Sequence, residues 1–234
     1  ADSIARHAPA DVAIVSLQNG VGNTALLREK LPGRRVLGGT VPYNVIALGE
    51  GRFHRATSGD IVIEKDAVGT AEKLSVPGLK MRASDDIVAL QWGKLLFNLN
   101  NALNALAGLP LRRQLAQRPW RRLFADQVAE ALVAIRAEGI KPVSTAPLPV
   151  SFMPPLLRLP DALFGVVLGR TMKIDPEARS SMWEDLQRCR RTEIDYLQGV
   201  ITEIADRRGL DAPLSRRIVE LIRKAEADGK GSPG

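Results

Sequence analysis

The sequence is poor in aromatic residues, cysteine and histidine, and each shortage excludes a class of site. Aromatic residues make up 4% of the 234 positions, which is little for the stacking platforms that bind single-stranded nucleic acids. Cys189 is the only cysteine, so the chain cannot form an internal disulfide. The two histidines, His7 and His54, have no neighbours at ligand spacing. We therefore predict neither a disulfide framework nor a metal site.

Long hydrophobic runs are also missing. No apolar stretch approaches the roughly 20 residues that cross a membrane, and the first residues lack the apolar core of a signal peptide. With 45% hydrophobic residues the chain can still bury a core of ordinary size. The sequence therefore predicts a cytoplasmic protein without a membrane partner.

Positive charge is spread along the chain instead of forming a tail. The formal net charge is +7 and the isoelectric point is near 9.9. Arginine pairs lie far apart in the sequence, for example at 34–35, 112–113 and 216–217. This balance favours anionic partners, which include nucleic acid and also a phosphorylated cofactor with a carboxylate substrate. Because no helix-turn-helix, zinc or stacking motif is present, we predict small-molecule partners and no nucleic acid.

The first part of the chain has the pattern of an α/β sheet. Residues 12–16 form a short apolar run, followed by a glycine turn at 18–22 and a helical stretch at 23–31. That order is typical of a parallel strand. Further strands are predicted at residues 36–40, 51–56 and 61–64, with glycine and proline between them.

From residue 84 onward the pattern is helical. Helices are predicted at residues 84–106, 119–138, 162–168, 181–208 and 213–227, and the tail 229–234 is expected to be flexible. The chain thus divides into an α/β part up to about residue 84 and an all-α part after it. No G-x-G-x-x-G turn or initiator methionine precedes the first predicted strand, so we expect the chain to be the later portion of a longer protein.

A polar stripe runs along the predicted helix 84–106. Lys94, Asn98 and Asn101 fall within a narrow sector at 100° per residue, opposite leucines and Trp92. A solvated helix face usually pairs lysine with a carboxylate one turn away, and Lys94 has none there. Asparagines at 98, 100, 101 and 104 are also poor helix formers. Amides and one ammonium suit a polar small molecule better than they suit water.

A single carboxylate, Glu193, interrupts an apolar stripe in the predicted helix 181–208. Burial without a partner costs several kcal/mol, so Glu193 should be paired, protonated or in contact with a ligand. A structural ion pair with one of the many arginines is the alternative interpretation. The apolar stripe is formed by Met182, Leu186, Cys189, Leu197, Val200 and Ile204.

Three stretches of the sequence resemble motifs of the ketopantoate reductase family, the NADP-dependent 2-dehydropantoate 2-reductases. S-L-Q-N-G-V-G, from Ser16, is similar to a turn after a late strand of the dinucleotide-binding domain. W-G-K-L-L-F-N, from Trp92, is similar to the family's W-x-K-x-x-x-N helix. S-S-M-W-E-D, from Ser180, and R-T-E-I-D-Y, from Arg191, are similar to its S-S-M-x-x-D and T-E-I-D segments.

The resemblance implies a fold and a reaction. Residues 1–84 would be the C-terminal part of a Rossmann-type NADP-binding domain, and residues 85–234 an all-helical substrate domain. The reaction would be the NADPH-dependent reduction of a small 2-oxo acid, most simply 2-dehydropantoate to pantoate in pantothenate biosynthesis. The protein would act as a monomer or a homodimer.

The resemblance also implies roles for residues in the helical part. Lys94 would donate a proton to the carbonyl oxygen, because reduction builds negative charge on that atom. Glu193 would lie where substrate and cofactor meet. Asn98 and Ser181 would hydrogen-bond the substrate, and Asn101 is a further candidate for the same task.

In the glycine turn the resemblance implies a cofactor contact. Asn19 would touch both cofactor and substrate, with Gly20 beside the cofactor; the alternative is that Asn19 is an ordinary turn residue before glycine. The loop that cradles the pyrophosphate, and any residue that selects NADP over NAD, would lie before residue 1. We therefore expect the chain alone to bind NADPH poorly and to show doubtful activity.

Departures from the family pattern leave the substrate open. A second substrate asparagine of the family corresponds to Ala102, with Asn101 and Asn104 as possible substitutes, and a further one corresponds to Leu111. One alternative is a related enzyme of the opine-forming or 3-hydroxyacid dehydrogenase type. Another is a non-catalytic basic interaction module that retains the fold.

Overall fold

The computed structural model describes residues 1–43, 45–55, 59–144, 148–171 and 175–233, in two compact units. Unit 1 is Ala1–Trp92 and unit 2 is Gly93–Gly234. The boundary falls after residue 92, whereas the change of sequence pattern predicts it at 84. The difference arises because residues 87–92 pack on the sheet: the Gln91 side chain donates a hydrogen bond to the Gly39 carbonyl oxygen at 3.0 Å.

Unit 1 is an α/β structure with a mixed sheet of four strands and a separate hairpin. Its strands are β1 Ile14–Ser16, β2 Val36–Thr40, β3 Val45–Gly49, β4 Arg52–Arg55, β5 Ile61–Glu64 and β6 Met81–Ser84. Its helices are α1 Asp2–His7, α2 Asn23–Lys30 and α3 Thr70–Leu74. The sheet order is β1-β2-β5-β6, and β3 pairs with β4 in the hairpin.

The strand pairing confirms the predicted parallel strand and adds an antiparallel contact. β1 pairs with β2 in parallel and β5 pairs with β6 in parallel, but β2 and β5 are antiparallel. All five residues of β2 are buried, as the short apolar pattern predicts for a central strand. The sequence analysis missed β3 and β6, and Ala56, at the end of the predicted strand 51–56, lies outside the described residues.

Glycines in β2 allow close packing at the middle of the sheet. A Cβ at Gly39 would lie 2.6 Å from Cδ2 of Leu17, in the segment that follows β1. Ile61, Ile63 and Ala71 form a buried hydrophobic cluster in this unit. The turn after β1 is therefore held against β2 by contacts that a larger side chain would prevent.

The described residues of unit 2 form helices and short turns. After α4 Ile87–Asn98, which begins in unit 1, the helices are α5 Asn100–Ala107, α6 Leu111–Ala116, α7 Arg118–Ala137, α8 Met153–Leu157, α9 Asp161–Thr171, α10 Ser181–Gln187, α11 Gln198–Arg208 and α12 Pro213–Asp228. Two 3₁₀ turns, Val150–Phe152 and Ile194–Tyr196, complete the elements. The fold is thus α/β followed by all-α, as the sequence predicts.

Two predicted long helices are wrong because each is broken. The helix predicted at 84–106 is interrupted at Leu99, between α4 and α5. The helix predicted at 181–208 ends at Gln187, and Cys189 is exposed with a positive φ of 50°. The Arg190 amide then bonds the Asp185 carbonyl oxygen at 2.8 Å, which closes α10 and turns the chain away. The apolar spacing continues across both breaks, so periodicity alone did not reveal them.

The tail after α12 is attached to the helical unit over the residues that the structure describes. The Ser232 hydroxyl donates a hydrogen bond to the Ala105 carbonyl oxygen at 2.5 Å. The Cys189 thiol lies 3.3 Å from the Gly229 carbonyl oxygen. These contacts differ from the flexible tail that the composition of residues 229–234 predicts.

Among the described residues, no helix combines the length and the apolar character that crossing a bilayer requires. Likewise, within the described ranges no three histidine, cysteine or acidic side chains are grouped so that they could hold a metal ion.

Candidate active site

Lys94 and Asn98 lie one helical turn apart on α4 and are both half-buried. Leu95 and Leu96, between them, are fully buried and fix the orientation of the helix. Asn101 follows on α5, after the break at Leu99. Among the described residues no group hydrogen-bonds the Asn98 side chain, so its amide is available to a ligand. This part of the predicted polar stripe is present in the structure.

The environment of Lys94 changes its acidity. Burial lowers the pKa of the Lys94 ammonium, because the charged form loses water, and the negative charge of Glu193 offsets part of that effect. The structure therefore brings Lys94 and Glu193 close enough to interact electrostatically, although 99 positions separate them in the sequence. A lysine with a lowered pKa is a better proton donor near neutral pH than an exposed one.

Glu193 lies at a break between helices and not in the middle of one. It is the residue before the 3₁₀ turn Ile194–Tyr196 and is half-buried. On its N-terminal side, the amide of Thr192 donates a hydrogen bond to the Glu226 carboxylate at 2.7 Å. Two residues after Glu193, Asp195 forms an ion pair with Arg223 at 2.7 Å. The segment that carries Glu193 is thus anchored to α12 on both sides.

The two serines at the start of α10, Ser180 and Ser181, differ in burial and in hydrogen bonding. Ser180 is buried, and its hydroxyl caps the helix by accepting the Trp183 amide at 3.2 Å. The same hydroxyl donates to the Asn101 carbonyl oxygen at 2.9 Å, which joins α10 to α5. Ser181 is exposed. The Ser180 hydroxyl is thus used within the fold, and a substrate contact of Ser181 stays a prediction.

Asn104, considered above as a possible substitute for a substrate amide, is structural. It is fully buried, and its side-chain oxygen accepts the Ser180 amide at 2.8 Å. Its side-chain nitrogen donates to the Leu109 carbonyl oxygen at 2.9 Å and to Gln114 at 3.0 Å. Asn100 is engaged with Gln114 in the same way. Of the four asparagines at 98, 100, 101 and 104, Asn98 and Asn101 therefore remain as candidates for a ligand contact.

In unit 1, the turn after β1 holds Asn19 and Gly20. Gly20 and Gly22 both have positive φ values, of 80° and 86°, and the Asn23 side chain closes the turn with a hydrogen bond to the Asn19 carbonyl oxygen at 2.8 Å. Ligands of parallel α/β sheets lie at the carboxyl ends of the strands, which is where this turn is. A Cβ at Gly22 would meet no atom within 4 Å, so the side of the turn is open. The turn therefore leaves room for a ligand such as a nicotinamide cofactor beside its backbone.

Other residues of interest escaped the sequence analysis. Asp185 is half-buried on α10, and burial raises the pKa of its carboxyl group. Gly93, directly before Lys94, allows a very close approach: a Cβ there would collide with the carbonyl oxygen of Val143. Gln198 is fully buried at the start of α11. The sequence could have indicated a close contact at Gly93, because a glycine inside a predicted helix usually has a packing reason.

Together these features define a class: a Rossmann-type α/β part followed by an all-helical part with a partly buried lysine and glutamate. Two family models match the chain. The model described as ketopantoate reductase PanE/ApbA covers residues 1–67, and the model of its C-terminal part covers residues 86–226. The chain belongs to the ketopantoate reductase PanE/ApbA family.

Individual relatives agree with this assignment. The 2-dehydropantoate 2-reductase of Halobacterium salinarum is 28% identical over 227 residues, which cover 92% of this chain and 68% of the relative. That of Archaeoglobus fulgidus is 28% identical over 235 residues, covering 94% of this chain and 70% of the relative. Both are similar to this chain along nearly its whole length.

Solved structures share the fold. A PanE/ApbA family ketopantoate reductase from Ralstonia eutropha JMP134 has a TM-score of 0.77 at 28% identity, over 95% of this chain and 69% of that one. D-mandelate dehydrogenase, in a ternary structure with NADH and anilino(oxo)acetate, has a TM-score of 0.76 at 22% identity, over 94% and 70%. A dimeric ketopantoate reductase from Staphylococcus aureus has a TM-score of 0.70 at 19% identity, over 97% and 74%.

Proposed function

We infer that the protein carrying this chain reduces the keto group of a small 2-oxo acid, with 2-dehydropantoate as first candidate and NADPH as reductant. In that role it would supply pantoate for pantothenate synthesis. The observation that carries the proposal is the half-buried Lys94, which interacts with Glu193 and stands one turn before the available amide of Asn98. The relatives named 2-dehydropantoate 2-reductase support the choice of substrate.

The cofactor would be held in part by the turn after β1. Gly20, with its positive φ, lets the backbone approach a ligand, and Asn19 offers a side-chain amide beside it. The family resemblance assigns a cofactor contact to Glu193 as well. When bound, a nicotinamide cofactor supplies the hydride that reduces the keto carbon.

Within this chain the chemistry falls to Lys94. Its ammonium stabilises the negative charge that builds on the substrate carbonyl oxygen and then donates a proton to it. The negative charge of Glu193 favours the protonated ammonium and so opposes the lowering of the Lys94 pKa by burial. Asn98, Asn101 and Ser181 are the polar groups proposed to hydrogen-bond the substrate carboxylate and hydroxyl groups.

A second candidate is a 2-oxo acid with a larger apolar group. Ala102 is fully buried, and the side chain of Asn104 bonds groups within the fold. Fewer side-chain amides are therefore left for a hydroxylated substrate than the polar stripe in the sequence predicts. The likeness in fold to D-mandelate dehydrogenase makes a phenyl-substituted 2-oxo acid the natural comparison substrate.

An assay of cofactor oxidation tests the proposal. The protein, including any sequence that precedes residue 1 in nature, is supplied with NADPH or NADH and with 2-dehydropantoate or a phenyl-substituted 2-oxo acid. We expect the highest kcat/KM for NADPH with 2-dehydropantoate. A preference for the phenyl substrate would support the second candidate. Absence of turnover with every 2-oxo acid would contradict both and favour the non-catalytic module.

Replacing Glu193 by glutamine should reduce kcat or raise KM for the oxo acid while the thermal midpoint moves by a few degrees at most. The reason is that the substitution keeps the size of the side chain and removes the charge that faces Lys94. Steady-state kinetics and thermal melting measure the two effects. Glu203→Gln, which makes the same change at an exposed carboxylate on α11, is the matched control and should leave turnover unchanged. A large loss of stability with normal kinetics would instead identify Glu193 as a structural ion-pair residue.

The rate should also fall as the pH rises. Lys94 must be protonated to act as the acid, so kcat decreases when the pH passes the pKa of Lys94, which burial places below the usual lysine value. Glu193→Gln removes the charge that raises this pKa, so it should move the decrease to lower pH. Measurements of kcat at saturating substrate across the alkaline range, with melting curves at each pH, provide the test. A rate that rises with pH over this range would rule out Lys94 as the proton donor.

A further inference from the structure

Gln198 is a fully buried amide whose hydrogen bonding is incomplete. It is the first residue of α11, and its side-chain nitrogen donates to the Leu99 carbonyl oxygen at 2.8 Å. Its side-chain oxygen is also buried, and among the described residues it has no hydrogen-bond partner. Leaving a buried acceptor unpaired is unfavourable, so the presence of glutamine here calls for a physical reason.

Packing alone does not supply that reason. Leu197 and Ile201, next to Gln198 on the same segment, are fully buried, and so is Leu99. In such surroundings an apolar side chain of similar length would fill the same space and would avoid the unpaired oxygen. Among the described residues the side chain has one polar contact, the bond to Leu99, so the explanation must lie in what this bond connects.

The bond connects the two segments of the candidate active site. Leu99 is the residue at the break between α4 and α5, directly after Asn98 and five positions after Lys94. Gln198 follows Glu193 by five positions and begins the helix after the 3₁₀ turn. A rigid side-chain contact at this point fixes the start of α11 relative to the end of α4, close in sequence to both interacting charges.

We propose that Gln198 is a positioning residue, which holds the segment of Glu193 at the correct distance from Lys94 by bonding the backbone at Leu99. In this role it acts through Glu193 and not through a contact with substrate or cofactor. The anchors of Thr192 and Asp195 on α12 fix Glu193 from the opposite side, and Gln198 completes the set with a link to the helix of Lys94 itself. The inference rests on the proposed role of Lys94 as proton donor.

Gln198→Met tests the inference, because methionine has a similar length and no polar atoms. Small displacements of catalytic groups have large kinetic effects, so we expect kcat to fall roughly 10-fold or more with little change in KM for NADPH. The thermal midpoint should move by a few degrees at most, since the variant removes the unpaired oxygen together with the donor to the Leu99 carbonyl. The pKa of Lys94, followed by NMR of ¹³C-methylated lysines and assigned with Lys94→Arg, should decrease because Glu193 is no longer held beside it.

The chain offers a closely matched control in Gln127 on α7. That side chain is also fully buried, and neither of its polar atoms has a partner among the described residues. Gln127→Met should therefore leave kcat and the titration of Lys94 unchanged. Gln198→Leu, tested in parallel, repeats the change with a different shape.

The outcomes separate the two proposals. An unchanged kcat and an unchanged Lys94 titration in Gln198→Met would overturn the positioning role. Loss of cooperative melting in both Gln198→Met and Gln198→Leu would overturn it as well, because it would show a structural role. If the unmodified protein reduces no 2-oxo acid, the proposed function fails, and the NMR titration still decides whether Gln198 holds Glu193 near Lys94.

Discussion

Replacing Lys94 by alanine should lower kcat for reduction of the oxo acid by a factor of about 10² or more, the usual contribution of a general acid. In the proposed mechanism the ammonium stabilises and protonates the carbonyl oxygen, and water is a weaker and less ordered donor. Binding of the substrate should be affected less, because Asn98 and Ser181 remain. Steady-state kinetics at saturating NADPH and substrate measure the loss.

The stability of the Lys94→Ala variant should change little. Lys94 is half-buried, and burial of its charge is unfavourable, as the lowered pKa indicates. The variant therefore loses the attraction between Lys94 and Glu193, but it also no longer buries a charge. The two effects oppose each other. Lys224→Ala, at an exposed lysine of α12, is the control for the loss of one positive charge. Turnover close to that of the unmodified protein would show that Lys94 is not the proton donor.

The sequence predicted the local structure best where an apolar run has clear ends. Strands at 36–40 and 61–64 were predicted with the bounds that the structure has, and α7 and α12 were predicted within one residue at each end. Glycine, proline and charged residues mark those ends, so local physical chemistry is sufficient. The direction of pairing between β2 and β5 could not be predicted, because it depends on how the chain returns through a distant segment.

The breaks at Leu99 and Cys189 were hidden for a different reason. The apolar spacing continues across each break, so the pattern predicts one helix. At Leu99 the backbone keeps helical dihedral angles, φ −56° and ψ −29°, whereas at Cys189 it turns. At Cys189 the turn depends on a left-handed residue that is not glycine, which occurs rarely and gives no sequence signal. Glu193 was still identified as unusual, but its location between helices, where loops position functional groups, required the structure.

The candidate site, too, was predicted from the sequence only in part. Lys94, Asn98 and Glu193 stood out because each is a polar residue where the pattern calls for an apolar or paired one. Asn104 stood out equally, yet it is part of a buried network with Ser180 and Gln114. Residue type alone does not distinguish a side-chain amide that binds a ligand from one that bonds the backbone. The difference lies in hydrogen bonds between segments that are distant in the sequence.

Arg121 is the residue whose loss should destabilise the helical unit most. Its side chain is fully buried, and its nitrogen atoms bond the carbonyl oxygens at the ends of two helices, α6 and α8. The acceptors are Leu115 at 2.9 Å, Ala116 at 3.1 Å, Leu157 at 3.2 Å and Leu159 at 2.8 Å, with the Asp161 carboxylate at 2.7 Å. The guanidinium also lies 4.3 Å from the ring centre of Phe164. One side chain thus satisfies carbonyl groups that neither helix can satisfy itself.

Arg121→Ala should therefore reduce the free energy of unfolding by about 3 kcal/mol or more, since several buried acceptors lose their donor and a cavity remains. Arg121→Lys should recover little of this loss, because a single ammonium cannot reach acceptors on both helix ends. Urea unfolding of the helical unit measures the change, and Arg122→Ala, at the exposed neighbour, should be nearly neutral. An Arg121→Ala variant as stable as Arg122→Ala would mean that water replaces the guanidinium at these carbonyl groups. Arg121 would then not be the residue that stabilises the junction of α6, α7 and α8.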